Sequence, residues 1–323
     1  MISSLVYRDQ KQAGHNVPVE SLAAIRAETN TMVWIDLAAP SEDEVRIVLQ
    51  ELFAFHPLAI EDCVSDSPSP KLEPYDEYLY LVMHALVADE KRDFHVVELD
   101  LFLGKNYLVT YHRDPLAVLD ATIERYLKAP SLQVRGPDRF AHTLLDKMVE
   151  SYRPVMDKLH QKVDRIEEGV LGSISADQLF PKIVSLRKQI SQIRRVIEPE
   201  REIIADLSSG KQTLIRSILV PYLRDLAEEL ERVDHQAAVW AEQLILSFRI
   251  YLNKTTHEAN QGIRVLTGLT ALTFPALIVG SWFGMNFSRM HELKAPYGYA
   301  LATALTIALT YATYLFMRRR KWL

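Results

Sequence analysis

The sequence predicts an α+β domain, a mixed sheet with covering helices, followed by a very long helix and two transmembrane helices at the C-terminal end. Three observations predict it. Residues 265–283 and 298–317 are apolar and carry no charge, and each stretch is close to the roughly 20 residues that one helix needs to cross a bilayer's hydrocarbon. Short alternating apolar runs fill the chain up to about residue 112 and give way to helical periodicity from about Pro115. No proline stands between Pro221 and Pro275, and glycine is nearly absent there.

In chain order, strands are predicted at 2–7, 32–37, 78–86, 95–103 and 107–112. Several strands in succession with few crossovers favour a mixed or antiparallel sheet with helices on its face. Ser41 reads as an N-cap with Glu44 as its capping-box partner, opening a helix to about Phe53. Residues 65–74 hold three prolines and read as a loop. Trp34 and Cys63 are expected in the core of this domain, which is taken as residues 1–136.

Residues 137–264 are predicted as a helical stalk. Leu144, Leu145, Met148, Tyr152, Val155, Leu159, Val163 and Ile166 recur at helical spacing over 137–168, and Gly169 and Gly172 mark the end. A second helix spans 178–207, and the break at 208–210 follows. Pro221 suits a first helical turn. Beyond it, Leu223, Leu226, Leu230, Val233, Ala237, Trp240, Leu244, Ser247 and Tyr251 imply one helix running on into the first span. Residues 221–283 would measure roughly 95 Å. A helix of that length needs neighbours, either the preceding helices or copies of itself. Residues 265–323 form the membrane hairpin, with an external loop at 284–297.

Composition narrows the function. A net charge of −5 argues against a nucleic-acid partner and suits a protein that handles cations. The single cysteine, Cys63, excludes an internal disulfide and a cysteine-based zinc site. The ten histidines lack ligand spacing, and His84, His95 and His112 read as packing or surface groups on strands. Glu167, Glu168, Glu228, Glu229 and Glu231 read as solvated helix faces that add to a cation-attracting field. The N-terminus shows no basic leader with an apolar run, so no cleavable signal is expected. Arg318, Arg319, Arg320 and Lys321 close the second span and place both termini in the cytoplasm of a multi-pass inner-membrane protein. There is no phosphate-cradling glycine loop, no G-x-S-x-G elbow and no H-E-x-x-H, so an enzyme is not expected.

One hairpin cannot enclose an aqueous path, so a conduit requires several chains around an axis. The first span carries Thr267, Thr270, Thr273 and Ser281, and small hydroxylated residues on a span face another helix or a pore. Helical spacing from Asn260 selects a stripe of Ile263, Leu266 or Thr267, Thr270, Phe274 and Leu277. Rings of bulky apolar groups hold gates closed by dewetting. The other reading is that the threonines only pack or bond back to their own helix. Gly284-Met285-Asn286 ends the span without a charge: the glycine lets the backbone turn sharply, and the Asn286 amide oxygen suits a hydrated Mg²⁺. Without its context the tripeptide reads as a helix C-cap.

In context, Gly-Met-Asn closing the first of two C-terminal spans after a long helix resembles the CorA family of magnesium and cobalt transporters. Met290-His291-Glu292-Leu293 resembles the family's Met-Pro-Glu-Leu loop, and Tyr297-Gly298-Tyr299 the opening of its second span. Lys321-Trp322-Leu323 is similar to its tail, His56-Pro57-Leu58-Ala59-Ile60-Glu61-Asp62 to its His-Pro-Leu-x-x-Glu-Asp stretch, and Pro221-Tyr222-Leu223-Arg224-Asp225 to the start of its long helix.

The resemblance implies a funnel-shaped homopentamer in the bilayer. Gly284, Met285 and Asn286 would form the selectivity ring, Asn260 would sit near the inner end of the pore, and His291 and Glu292 would flank the mouth. It also implies regulatory Mg²⁺ at a protomer interface, on Asp225 and either Asp89 or Glu90. The basic tail would surround the inner mouth. Phe274, Leu277 and His291 depart from the family's usual side chains, while Met285 favours magnesium over the zinc-transporting branch. The leading expectation is a Mg²⁺ channel or transporter, with Co²⁺ or Ni²⁺ as further cargo, shut by cytosolic Mg²⁺ and needing no catalytic cofactor. A proton-coupled zinc transporter and a non-conducting divalent-cation sensor stand as alternatives.

Overall fold

The structure, a computed structural model, describes residues 1–28, 30–89, 91–128, 136–172, 176–285 and 297–320. It divides into two compact units, Met1–Ser247 and Phe248–Leu323.

Among the described residues of the first unit, seven strands form one sheet in the order β2-β1-β3-β7-β6-β5-β4. They are β1 Ile2–Arg8, β2 Lys11–His15, β3 Thr31–Ala38, β4 Lys71–Pro74, β5 Tyr78–Asp89, β6 Asp93–Gly104 and β7 Tyr107–His112. Only β3 and β7 pair in parallel, so the sheet is mixed, as the sequence predicts. The two strands absent from the sequence prediction, β2 and β4, are the two edges. β2, Lys-Gln-Ala-Gly-His, has no apolar alternation, and β4 ends in a proline inside the stretch predicted as loop. Short polar or proline-bearing strands suit an edge because they discourage further pairing.

β3 is buried on both faces, which explains its nearly continuous apolar run. Val33, Ile35 and Leu37 join one core cluster with Leu22, Val48, Leu49, Phe55, Ile60 and Cys63. These come from α1 (Val19–Ala27), from the π-helical segment Arg46–Leu52 that continues α2 (Glu42–Val45), from α3 (Pro57–Val64) and, for Phe55, from the link before α3. Trp34 points to the other face, its ring centroid 4.6 Å from that of Phe140, and its indole donates to Thr110 Oγ1 at 3.0 Å. Both expected core residues, Trp34 and Cys63, are therefore buried. The Ser41–Glu44 capping box forms as predicted. The His-Pro-Leu motif starts α3: the His56 side chain accepts from the Leu58 N–H at 3.3 Å, and Pro57 occupies the first turn, where no hydrogen bond is lost.

The remaining helices of this unit are α4 (Ala117–Lys128), α5 (Pro137–Glu150), α6 (Arg153–Leu171), α7 (Ala176–Leu207) and the start of α8 (Val220–Phe283). The single helix predicted over 137–168 is two helices. Pro154 in the first turn of α6 forbids a continuous hydrogen-bond ladder, and the chain breaks at Ser151 and Tyr152. α8 is continuous for 64 residues with Pro275 inside it, as the proline-free, apolar-periodic sequence predicts. Its buried seam is Leu223, Leu226, Leu230, Asp234, Ala237, Trp240, Leu244 and Ser247. At one turn the expected Val233 is replaced by Asp234, whose carboxylate meets Arg194 of α7 at 2.8 Å and Arg201 at 4.0 Å. The His160 ring of α6 stacks on Trp240 at 5.5 Å.

In the second unit, the C-terminal part of α8 is followed by α9 (Gly298–Arg319). Both helices are long and apolar enough to cross a membrane. Each has one shielded stripe, Gly268, Ala271, Leu272, Pro275 and Val279 on α8, and Gly298, Ala302, Thr306, Thr310, Thr313 and Met317 on α9. Small residues dominate both, as expected where helices approach closely in a bilayer.

Candidate metal-ion pathway

The sequence-predicted stripe of α8 lies on its uncovered side. Ile263, Leu266, Phe274 and Leu277 are 57 to 65 % exposed, and Asn260, Thr267 and Thr270 are also exposed, whereas Val279 is 5 % exposed. At 100° per residue the stripe is centred roughly 150° around the helix from the shielded one. Exposure by itself does not single it out, since Val265 and Leu269 are as open. The direction does: these residues look away from whatever shields Gly268 and Val279.

Two of the threonines bond back to their own helix. Thr270 Oγ1 donates to the Leu266 carbonyl at 2.9 Å, and Thr273 Oγ1 to the Thr270 carbonyl at 2.9 Å. A bond back to the preceding turn satisfies the hydroxyl inside an apolar span, and its oxygen keeps a lone pair for a further donor.

The Gly284 φ is not in the left-handed region, and its N–H bonds the Gly280 carbonyl at 2.9 Å; the chain that would complete the expected turn, 286–296, lies outside the described residues. The need for glycine comes from space: a Cβ at this position would meet the Gly280 carbonyl oxygen at 2.9 Å. Met285 follows, 41 % exposed, with its N–H 3.4 Å from the Trp282 carbonyl. Asn286, His291 and Glu292 lie outside the described residues, as do Glu90 and Lys321. Arg318 and Arg319 end α9, exposed, and Arg320 lies over the Phe316 ring at 5.9 Å.

Of the two aspartates predicted to sense Mg²⁺, Asp89 ends β5. Its carboxylate accepts from the Lys91 N–H at 2.7 Å, and this bond, with His95 and Arg92 nearby, holds its pKa below the usual range. His95 Nδ1 is 3.8 Å away. Asp225 is exposed on α8, with no ion-pair partner among the described residues. Both groups can therefore serve as anionic oxygen ligands. Among the described residues of this one chain, no cluster of three or more His, Cys, Asp or Glu forms a metal site.

Sequence reasoning missed the groups that anchor α8. Buried Asp138 takes the Arg216 backbone N–H at 3.1 Å and its guanidinium at 2.8 and 2.5 Å, just before the helix starts. Asp234 does the same further along. In sequence both look like ordinary surface acids; only a seam position at 234 in the heptad-like run offered a signal.

The profile of the CorA-like Mg²⁺ transporter protein family matches residues 29–319. The chain belongs to this family. It is 26 % identical over 322 residues to a putative metal ion transporter, YfjQ, of Bacillus subtilis, covering 100 % of this chain and 98 % of the relative. It is 24 % identical over 307 residues to the cobalt/magnesium transport protein CorA of Thermotoga maritima, covering 94 % and 87 %. The CorA magnesium transporter structure of Methanocaldococcus jannaschii matches with a TM-score of 0.80 at 18 % identity, over 99 % of this chain and 98 % of that one. The ZntB cytoplasmic domain of Vibrio parahaemolyticus matches with a TM-score of 0.58 at 13 % identity, over 71 % and 88 %. These structural likenesses establish the fold: mixed sheet, very long helix, C-terminal apolar helix.

Proposed function

We propose that this CorA-family chain carries Mg²⁺ across the inner membrane as a homopentamer, with Co²⁺ and Ni²⁺ as further cargo. The observation that carries the proposal is the uncovered Asn260–Leu277 stripe on a helix that ends at Phe283, just before the Gly-Met-Asn sequence. Copies gathered around an axis would turn that stripe inward. A ring of Phe274 and Leu277 gives a dewetted constriction, and the Asn286 amide oxygens a neutral collar for a hydrated ion that parts with water reluctantly. Relatives named as cobalt and magnesium transport proteins in Thermotoga maritima and Methanocaldococcus jannaschii support the choice of cargo.

In this proposal residues 1–136 and the stalk, 137–264, face the cytoplasm, 265–323 form the membrane hairpin, and the 284–297 loop lies outside. Arg318 to Lys321 mark the inner surface. Mg²⁺ between Asp225 of one copy and Asp89 or Glu90 of its neighbour relieves carboxylate repulsion and favours the closed assembly, so cytosolic Mg²⁺ shuts its own path.

The test is ion flux into liposomes holding the full chain. Saturable Mg²⁺ uptake that ignores an imposed pH gradient, and is abolished by Asn286→Ala without loss of assembly, is the expected result. Zinc uptake that requires a proton gradient would replace the proposal with a coupled zinc transporter. Divalent-dependent protease protection without flux would replace it with a sensor.

A further inference from the structure

β5 runs well past its partner β4. The β4 register reaches Val82 opposite Lys71 and stops. The next outward-facing backbone groups of β5 are those of His84, and they are buried. An unpaired buried N–H or C=O is costly, so something must replace the missing strand.

Two side chains do. The His84 N–H donates to Glu200 Oε1 at 2.8 Å. The Tyr152 hydroxyl lies 2.9 Å from the His84 carbonyl oxygen and 2.8 Å from Glu200 Oε2. Glu200 and Tyr152 are both 0 % exposed. Glu200 sits on α7 and Tyr152 at the break before α6, so the three groups tie both helices to the sheet edge.

Proton bookkeeping then decides the charge state. Tyr152 has one hydroxyl proton and two oxygen neighbours. If it donates to an ionised Glu200, the His84 carbonyl faces a bare oxygen at 2.9 Å and loses its only bond on that side. If it donates to the His84 carbonyl, the 2.8 Å contact to Glu200 requires a proton on Oε2. Only the second arrangement satisfies every group.

We propose that Glu200 is a built-in proton site: a neutral carboxylic acid that completes the chain Glu200 to Tyr152 to the His84 carbonyl, and whose ionisation at alkaline pH draws the Tyr152 hydroxyl onto the carboxylate and frees the His84 carbonyl, releasing the tie between the start of α6 and the sheet. Burial, the largest influence, pushes its pKa up to about 8, against the smaller opposing effect of the His84 N–H and the Tyr152 hydroxyl. No charged side chain among the described residues adds appreciably. Of the charged groups on the elements packed here, the His84 ring lies 3.5 Å from Glu98 of β6, Lys71 of β4 pairs with Asp62 and Glu73, and Arg201 of α7 is 4.0 Å from Asp234. The last contact extends the tie to α8, since α7 also holds Asp234 through Arg194.

The test compares the full-length chain with Glu200→Gln, whose amide reproduces a donor and an acceptor but cannot ionise. Infrared spectra at neutral pH should show a protonated-carboxyl band that the variant lacks; any band from Asp100, also buried and with its carboxyl pushed up by burial, is common to both and cancels in the difference. The ¹³C resonance of the His84 carbonyl, selectively labelled, should move between neutral pH and about pH 9 in the native chain, as the Tyr152 hydroxyl leaves it, and stay still in the variant. Identical carboxyl bands, or the same pH dependence of that resonance in both proteins, would overturn the proposal. Tyr152→Phe, which cuts the chain while keeping the ring, should give the freed-carbonyl resonance already at neutral pH; a resonance unchanged from the native chain would also overturn it.

Discussion

Single residues in this chain act through space and charge that their sequence context hides. Gly284 is a glycine because Gly280's carbonyl oxygen stands where a Cβ would go. Gly284→Ala should force a local shift costing about 1–3 kcal/mol at the end of the proposed filter, and Mg²⁺ flux should fall while assembly persists. Unchanged flux would mean the close approach is incidental. Asp225→Ala should raise the Mg²⁺ concentration for half-maximal protease protection about tenfold, the loss of roughly 1.4 kcal/mol of binding; an unmoved midpoint would remove it from the sensor. At this scale the sequence spoke unevenly. Helical spacing was enough to pick the Asn260–Leu277 stripe, because period alone fixes which residues share a face. Asp138, Asp234 and Glu200 were not legible, since a buried acid differs from a surface acid only in partners far along the chain.

At the scale of elements, the same logic explains which were read correctly. The central strands were legible because burial on one or both faces writes itself into apolar runs, and β7 was read with the bounds it has. The edges β2 and β4 were not, because an edge succeeds by lacking that pattern. The break between α5 and α6 turned on Pro154, which apolar periodicity overlooks.

The sheet also carries a pH dependence. Burial alone would lower the His112 pKa, but Asp36 at 3.5 Å and the Asp114 carbonyl at 2.7 Å outweigh it and raise the value above 6.5. A raised histidine stabilises the fold fully below its unfolded value, and that contribution is lost as pH rises through the folded one. Glu200 acts in the same sense: between its ordinary 4.5 and about 8 the folded chain keeps a proton that the unfolded chain has released, so stability falls across that window. The unfolding temperature of the detergent-solubilised chain should therefore drop from about pH 6 to about pH 9. A flat or rising profile would contradict both assignments.

At the scale of the whole molecule, one chain supplies a helix with a shielded stripe and an open one, and anionic oxygens with no complete metal site among the described residues. In the proposed assembly, further copies would complete each. With −5 on each chain, a pentamer would carry about −25, enough to focus cations toward it. The most direct measurement of the shared path is labelling from water at the open stripe. The only native thiol, Cys63, is buried, and burial raises its pKa well above the usual range, so it stays silent. A cationic thiol reagent should block Mg²⁺ uptake through Thr270→Cys and leave Leu272→Cys, on the shielded stripe, unaffected. Equal block of both variants, or of neither, would contradict a conduit lined by this face of α8.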